Sequence, residues 1–223
     1  MRRTKKGVTN RSQRETYRTP QVAIDTLARN WTKLPNSSIN GIVDLCAGDG
    51  RIGSTLSVAL DMPWYGCDIE PQHPDVTRMD VFEYVSENAR LRDEYGITDG
   101  TLYVMNPPYG SDRDSNGLYL HDRIIEHVCK NWHKGDELVV LYPDVMYASS
   151  RRQRHWVQIG LFDPLIQYRV SFRCAFERDD DTPVQGAMSS VSWFRWANMP
   201  HSDRKSLRLG DLGATGAGVT LLK

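Results

Sequence analysis

The sequence predicts an α/β fold: one layer of mostly parallel strands, covered by helices on both faces and closed by an antiparallel hairpin. Two observations predict it. Short apolar runs alternate with amphipathic stretches of helical period over most of the 223 residues, the pattern of strands joined by crossover helices. That alternation ends in two long apolar runs separated only by a polar turn, which suits a hairpin. Hydrophobic content of 39% and charged content of 25% are ordinary for a single globular domain with a core of usual size.

Residues 1–14 lack apolar periodicity and read as a flexible basic arm, with Arg2, Arg3, Lys5, Lys6, Arg11 and Arg14 all preceding the first acid, Glu15. A single domain is expected over 15–200. Its first helix spans 21–31, with Val22, Ile24, Leu27 and Ala28 on one face and Thr19 as the cap before Pro20. The apolar run 41–46 reads as a buried strand, 51–60 as a helix, 64–68 as a second strand and 76–79 as a short third. Val81, Tyr84, Val85 and Leu91 are spaced for one face of a helix over 81–91. A fourth strand at 102–105 is followed by a helix over 118–132 and a fifth strand over 137–142, halted by Pro143. A helix over 150–159 then precedes two strands at 165–176 and 190–197, joined by a turn carrying Asp179, Asp180 and Asp181. The glycine-bearing remainder, 201–223, has little apolar period and reads as a loose tail.

The formal net charge is zero, but it is unevenly distributed: the basic arm and the cluster Arg151, Arg152 and Arg154 beside His155 offer local sites for phosphate. The same residues also suit a solvated tail and an exposed helix start. Cys46 and Cys67 fall in expected buried strands, the four cysteines form no C-x-x-C pair, and the six histidines give no metal-ligand spacing. No bound metal is expected. With no apolar run of membrane length and no apolar stretch after the basic start, the chain reads as cytoplasmic.

Chemistry concentrates at the ends of the first four strands. Asp44-Leu45-Cys46-Ala47-Gly48-Asp49-Gly50 closes the first. Its glycines permit a tight turn and close approach of a ligand, but the spacing is neither that of a dinucleotide site nor that of a phosphate loop. Asp44 places there a carboxylate, which suits a cationic amino group better than a pyrophosphate. Asp68 ends the second strand, where an acid can accept both hydroxyls of a ribose, with Glu70 close by. Asp80 follows the third and could accept from an adenine amino group, with Val81 and Phe82 as an apolar wall; taken singly it suits a helix cap equally well. Three acids at three successive strand ends fit an amino acid, a ribose and an adenine, which together make S-adenosyl-L-methionine.

Asn106-Pro107-Pro108-Tyr109 follows the fourth strand. Adenine's exocyclic nitrogen is a poor nucleophile because its lone pair is delocalised into the ring. The Asn106 side-chain oxygen and the Pro107 carbonyl can each accept one of its hydrogens, drawing it towards tetrahedral geometry. The prolines stiffen the loop, and Tyr109 offers a face on which a base can stack, a contact of about 1–3 kcal/mol.

These residues together resemble the class I S-adenosylmethionine-dependent methyltransferases, specifically those with an N-P-P-Y motif, and most of all the small phage-type DNA adenine-N6 enzymes. The resemblance covers roughly residues 17–197, including Tyr17-Arg18-Thr19-Pro20 and the late hairpin. It implies a Rossmann-like seven-stranded sheet of order 3-2-1-4-5-7-6. It places Thr19 and Pro20 beside the methionine part of the cofactor, and Asp44, Ala47, Gly48 and Gly50 along its methionine and ribose end. Asp68 would hold the ribose, Asp80 and Val81 the adenine, and Asn106, Pro107, Pro108 and Tyr109 the target base, with Asn106 also at the cofactor. DNA is the expected partner, or RNA. N-P-P-Y is shared with enzymes acting on guanine N2 in RNA and on glutamine side chains, and a catalytically inactive binding subunit of the same fold is a further alternative. With about 60 residues between the glycine turn and Asn106, and the sheet filling them, no recognition domain is inserted there. Recognition falls to the arm, to 147–156, to 110–117 or to 179–187, with Arg151, Arg152 and Arg154 as contacts to the backbone of a substrate whose target base is flipped out.

Overall fold

The computed structural model describes residues 18–34, 37–109, 113–144, 150–158, 164–170, 190–200, 202–203 and 219–221. The expected arm, the 179–187 turn and most of the tail therefore lie outside the described residues, as do the side chains of Arg151 and Arg152.

Among the described residues, thirteen elements follow in chain order: α1 (Gln21–Asn30), β1 (Ile39–Leu45), α2 (Arg51–Leu60), β2 (Trp64–Asp68), β3 (Val76–Arg78), α3 (Val81–Tyr95), β4 (Gly100–Met105), α4 (Leu120–Asn131), β5 (Glu137–Pro143), α5 (Ser150–Gln158), β6 (Ile166–Arg169), β7 (Val191–Ala197) and β8 (Val219–Leu221). The sheet has the order β3-β2-β1-β4-β5-β7-β6-β8. The first five strands in the chain pair in parallel, while β7 runs antiparallel to β5 and to β6. The expected seven-strand order is present, and an eighth strand extends it: β8 pairs antiparallel with β6 through Ile166↔Leu221 and Tyr168↔Val219. The tail is thus not loose throughout. Three of its residues find backbone partners on the open edge of β6, a signal that carries no apolar period.

Strand alternation sorts the core into two layers. Ile42, Leu102, Val104, Val139, Leu141 and Trp193 face α1 and α2. Val43, Leu45, Tyr103, Met105, Val140 and Trp196 face the layer that contains Val85 of α3, Ile125 of α4 and Trp156 of α5.

Two elements depart from expectation for identifiable reasons. Helix α3 continues to Tyr95, past 91, because Arg92 is not a surface residue. It is 4% exposed and donates through Nη1 to both carboxylate oxygens of buried Asp136, at 3.0 and 2.8 Å. Cys46 is not in a strand: β1 stops at Leu45, and Cys46 is half-buried with a φ of +57°, in the left-handed region that begins the glycine turn.

Candidate active site

Parallel strands whose carboxyl ends lie on one edge bring the four sequence constellations together there. Along that edge the sheet order places Asp80 after β3, Asp68 at the end of β2, the 46–50 turn after β1, and Asn106 after β4. The chain reverses its winding direction between β1 and β4, where open α/β sheets form a ligand crevice.

Asp44 precedes Leu45 and, by alternation, points to the α1 and α2 side. It is fully buried, and its Oδ2 accepts from Gly53 N–H in the first turn of α2 at 2.8 Å. Its Oδ1 is buried with no hydrogen-bond partner among the described residues. Burial pushes this carboxyl up to about 8; the Gly53 N–H pulls the other way, and the charges of Asp49 and Asp68 add to the rise. A buried acceptor without a donor is an unmet need, and a cationic amine would meet it.

The turn itself is built from hydrogen bonds between strand ends. Ala47 N–H donates to Cys67 O at 3.0 Å and Gly50 N–H to Ala47 O at 2.8 Å. Gly48 has a φ of +53°, and a side chain there would project into open space, so the turn leaves room above it. Gly50 is different: buried, with its α-face against the Trp64 ring, it serves packing beneath the turn.

Asp68 ties the two strand ends, accepting from Gly48 N–H through Oδ2 at 2.9 Å and from Glu70 N–H through Oδ1 at 2.8 Å. Asp80 is the N-cap of α3, its Oδ1 accepting from Phe82 N–H at 2.8 Å; Val81 is buried behind it and Phe82 half-buried.

Thr19 is not the cap of α1, which has no side-chain cap bond. Buried at 5% exposure, its Oγ1 instead accepts from Asn106 Nδ2 at 3.0 Å. The Asn106 Oδ1 is buried and has no hydrogen-bond partner among the described residues. Pro107 is buried and Pro108 exposed. Tyr109 is half-buried; its hydroxyl donates to Leu141 O on β5, and its ring lies 5.6 Å from His121 and 5.9 Å from Tyr142. Arg154 is exposed on α5.

Three groups at this edge were not legible as site residues. Asp49 accepts from Arg51 Nε at 2.8 Å and pairs with Arg18 Nε at 3.5 Å, while Arg51 Nη1 donates to Thr19 O at 3.3 Å. This cluster fastens the segment before α1 onto the glycine turn. His121, Asp122 and Tyr142 back Tyr109, with Tyr142 OH donating to Asp122 Oδ1 at 3.2 Å. Arg113 and Tyr119 form an antiparallel bridge, with the Arg113 guanidinium 4.3 Å from the Tyr119 ring, and Tyr119 stacks on His121 at 5.2 Å. Asp49 and Arg51, and Arg113, Tyr119 and His121, are near one another in sequence, whereas Arg18 and Asp49, and Tyr109 and Tyr142, meet only through the fold.

Among solved structures, a proposed RNA methyltransferase of Pyrococcus horikoshii is similar with a TM-score of 0.54 at 16% identity, covering 86% of this chain and 91% of that one. A proposed class I S-adenosylmethionine-dependent methyltransferase of Listeria monocytogenes gives a TM-score of 0.48 at 13% identity, covering 91% of this chain and 65% of that one. Among curated proteins, the release factor glutamine methyltransferase of Bifidobacterium longum (strain NCC 2705) is 26% identical over 164 residues, which cover 56% of this chain and 53% of the relative. The match thus spans about half the length of that relative. No protein-family model matches the chain. Strand order and the Pyrococcus likeness together define the Rossmann-like class I methyltransferase fold.

Proposed function

We propose that the chain is an S-adenosylmethionine-dependent methyltransferase acting on the exocyclic N6 of adenine in DNA. The observation that carries this reading is the Asn106 Oδ1: a buried acceptor with no hydrogen-bond partner among the described residues, directly after β4, beside the strand that ends in the glycine turn. Leaving such an acceptor unpaired costs about 1–3 kcal/mol, which an incoming amine hydrogen would recover.

The cofactor supplies a methyl group on a positively charged sulfur. The protein's own groups do the rest. Asp44 Oδ1 would accept from the cofactor's amino group, the open side of Gly48 would admit its backbone contact, and Thr19 and Pro20 would flank it. Asp68 uses one lone pair on each oxygen for the turn and keeps a second for a ribose hydroxyl. Asp80 caps α3 with one oxygen and offers the other to adenine, beside Val81 and Phe82. Asn106 Oδ1 and the Pro107 carbonyl would each accept a hydrogen bond from the target amine and turn its lone pair towards the methyl group, so that the N–C bond forms as the C–S bond breaks and a neutral thioether leaves. Tyr109 would offer its ring to the extruded base, and Arg151, Arg152 and Arg154 are the candidate phosphate contacts. No strong base is needed, since the amine loses its proton to water after transfer.

A second reading takes a glutamine side chain as acceptor. Its amide nitrogen is also planar and conjugated, and the Bifidobacterium relative favours it. One experiment separates these. The protein is incubated with labelled S-adenosylmethionine and, separately, unmodified DNA, transcribed RNA and a glutamine-containing peptide pool, and products are identified by mass spectrometry. N6-methyladenine in DNA alone is the expected result. Label in RNA, as N6-methyladenine or N2-methylguanine, or in peptide with none in DNA, overturns the DNA assignment.

A further inference from the structure

A carboxamide has two ends of nearly equal shape and opposite hydrogen-bonding sense. Only its oxygen can take a hydrogen from an amine; turned round, it would present N–H to N–H. The reading of Asn106 as an amine acceptor therefore needs the nitrogen end engaged elsewhere, so that the oxygen is the end left to the crevice. Within the 106–109 motif the described residues provide nothing of that kind. The partner of the nitrogen end comes from 87 residues away, where Thr19 Oγ1 accepts from Asn106 Nδ2 at 3.0 Å and leaves the oxygen end for the crevice.

Thr19 is well held for this task. It is 5% exposed, and the next residue, Pro20, has its φ fixed by its ring and accepts from Ala23 N–H at 2.9 Å, which joins it to α1. Helix α1 is in turn tied to the sheet by Trp193 Nε1, which donates to Ala23 O at 2.8 Å. The Thr19 carbonyl receives Arg51 Nη1 at 3.3 Å, and Arg51 is locked onto Asp49 of the glycine turn. The hydroxyl thus stands on a fixed support between the cofactor turn and the target motif.

We propose that Thr19 is a positioning residue: it anchors the Asn106 carboxamide through its nitrogen, so that the oxygen faces the acceptor amine. This assigns Thr19 a role towards the acceptor, beyond the cofactor contact suggested above. It rests on the reading of Asn106 as the amine acceptor.

The test uses the full chain with Thr19→Val, which keeps the shape and removes the hydroxyl, and Thr19→Ser, which restores it. Thr19→Val is expected to lower kcat about tenfold, the loss of one hydrogen bond that matters in the transition state, with acceptor KM within about twofold and cofactor Kd weakened less than kcat falls, since valine keeps the shape that flanks the cofactor. Thr19→Ser is expected to recover kcat to within about threefold on the same arithmetic. In ¹⁵N-resolved NMR the Asn106 side-chain NH₂ pair, assigned by its absence in Asn106→Ala, is expected to shift in Thr19→Val and stay in place in Thr19→Ser. An unchanged kcat in Thr19→Val, failure of serine to rescue, or a cofactor Kd that weakens in step with kcat overturns the proposal. A wild-type protein that methylates no acceptor overturns the methyltransferase reading instead. The NMR pair still tests the anchor in that case, and an unmoved Asn106 resonance in Thr19→Val overturns it.

Discussion

Asp44 and Asn106 share a condition that marks the candidate site: each is polar, anchored by one atom and left with a buried oxygen that has no donor among the described residues. For Asp44 this condition is measurable without any substrate. In the unfolded chain its carboxyl titrates near the ordinary value of 3.8, whereas burial raises it to about 8 in the fold. The folded protein therefore binds a proton that the unfolded chain releases over this interval, so the stabilising contribution is complete below about pH 4 and is lost as pH rises through about 8. Thermal unfolding of the wild-type protein should show Tm falling between these limits relative to Asp44→Asn, by about 2–4 °C for each kcal/mol involved. Parallel Tm profiles for the two proteins would mean that Asp44 is ionised in the fold. Asp44 was legible as an acid at a strand end. That it points under α2 and caps Gly53 N–H was not, because only the strand's alternation and the helix's position together aim it there.

The elements that frame the crevice were read from periodicity, and the reading was best where one residue type dominates a face. The expected bounds of α2 and β2 agree with those observed, since the apolar spacing and the stop signals coincide. It failed where charged residues are buried in pairs, as at Arg92, and where backbone alone recruits a strand, as at β8. The packing of α2 on β2 adds a constraint that composition hides: Gly50, Gly53 and Gly66 all lie against the Trp64 ring. A methyl group at Gly53 would run into that ring. Gly→Ala in an ordinary helix interior stabilises by about 1 kcal/mol. Here Gly53→Ala is expected to destabilise by about 1–3 kcal/mol, the usual result of overpacking, measured by urea unfolding. A gain in stability would show that Trp64 is not rigid against α2.

Across the whole molecule, the half of the sheet away from the four strand-end constellations is held by a buried charge network. Arg195 on β7 is fully buried and pairs with Glu137 on β5, donates to Tyr168 OH on β6 at 2.9 Å, and stacks 3.9 Å from the Trp31 ring. Burial raises the Glu137 carboxyl and Arg195 opposes that rise. Removing the cation alone, in Arg195→Leu, should cost about 3–5 kcal/mol, whereas adding Glu137→Leu to it should recover much of the loss because no uncompensated charge remains. Calorimetry of the wild type and both variants checks this; a double variant no more stable than the single one would contradict it. The network was invisible in sequence because its members are drawn from the segment after α1 and from strands β5, β6 and β7. The fold class and the four strand-end constellations were visible because each is local.

The most direct test of the account is the single-turnover rate of methyl transfer in Asn106→Ala, measured beside calorimetric binding of S-adenosylmethionine to the same protein. The account predicts a rate lower by about 10²–10³, the usual effect of removing one preorganised hydrogen-bonding group, with cofactor Kd within about threefold of wild type. A rate close to wild type, or a loss of cofactor binding that explains the whole decrease, would contradict the placing of the Asn106 oxygen at the acceptor amine.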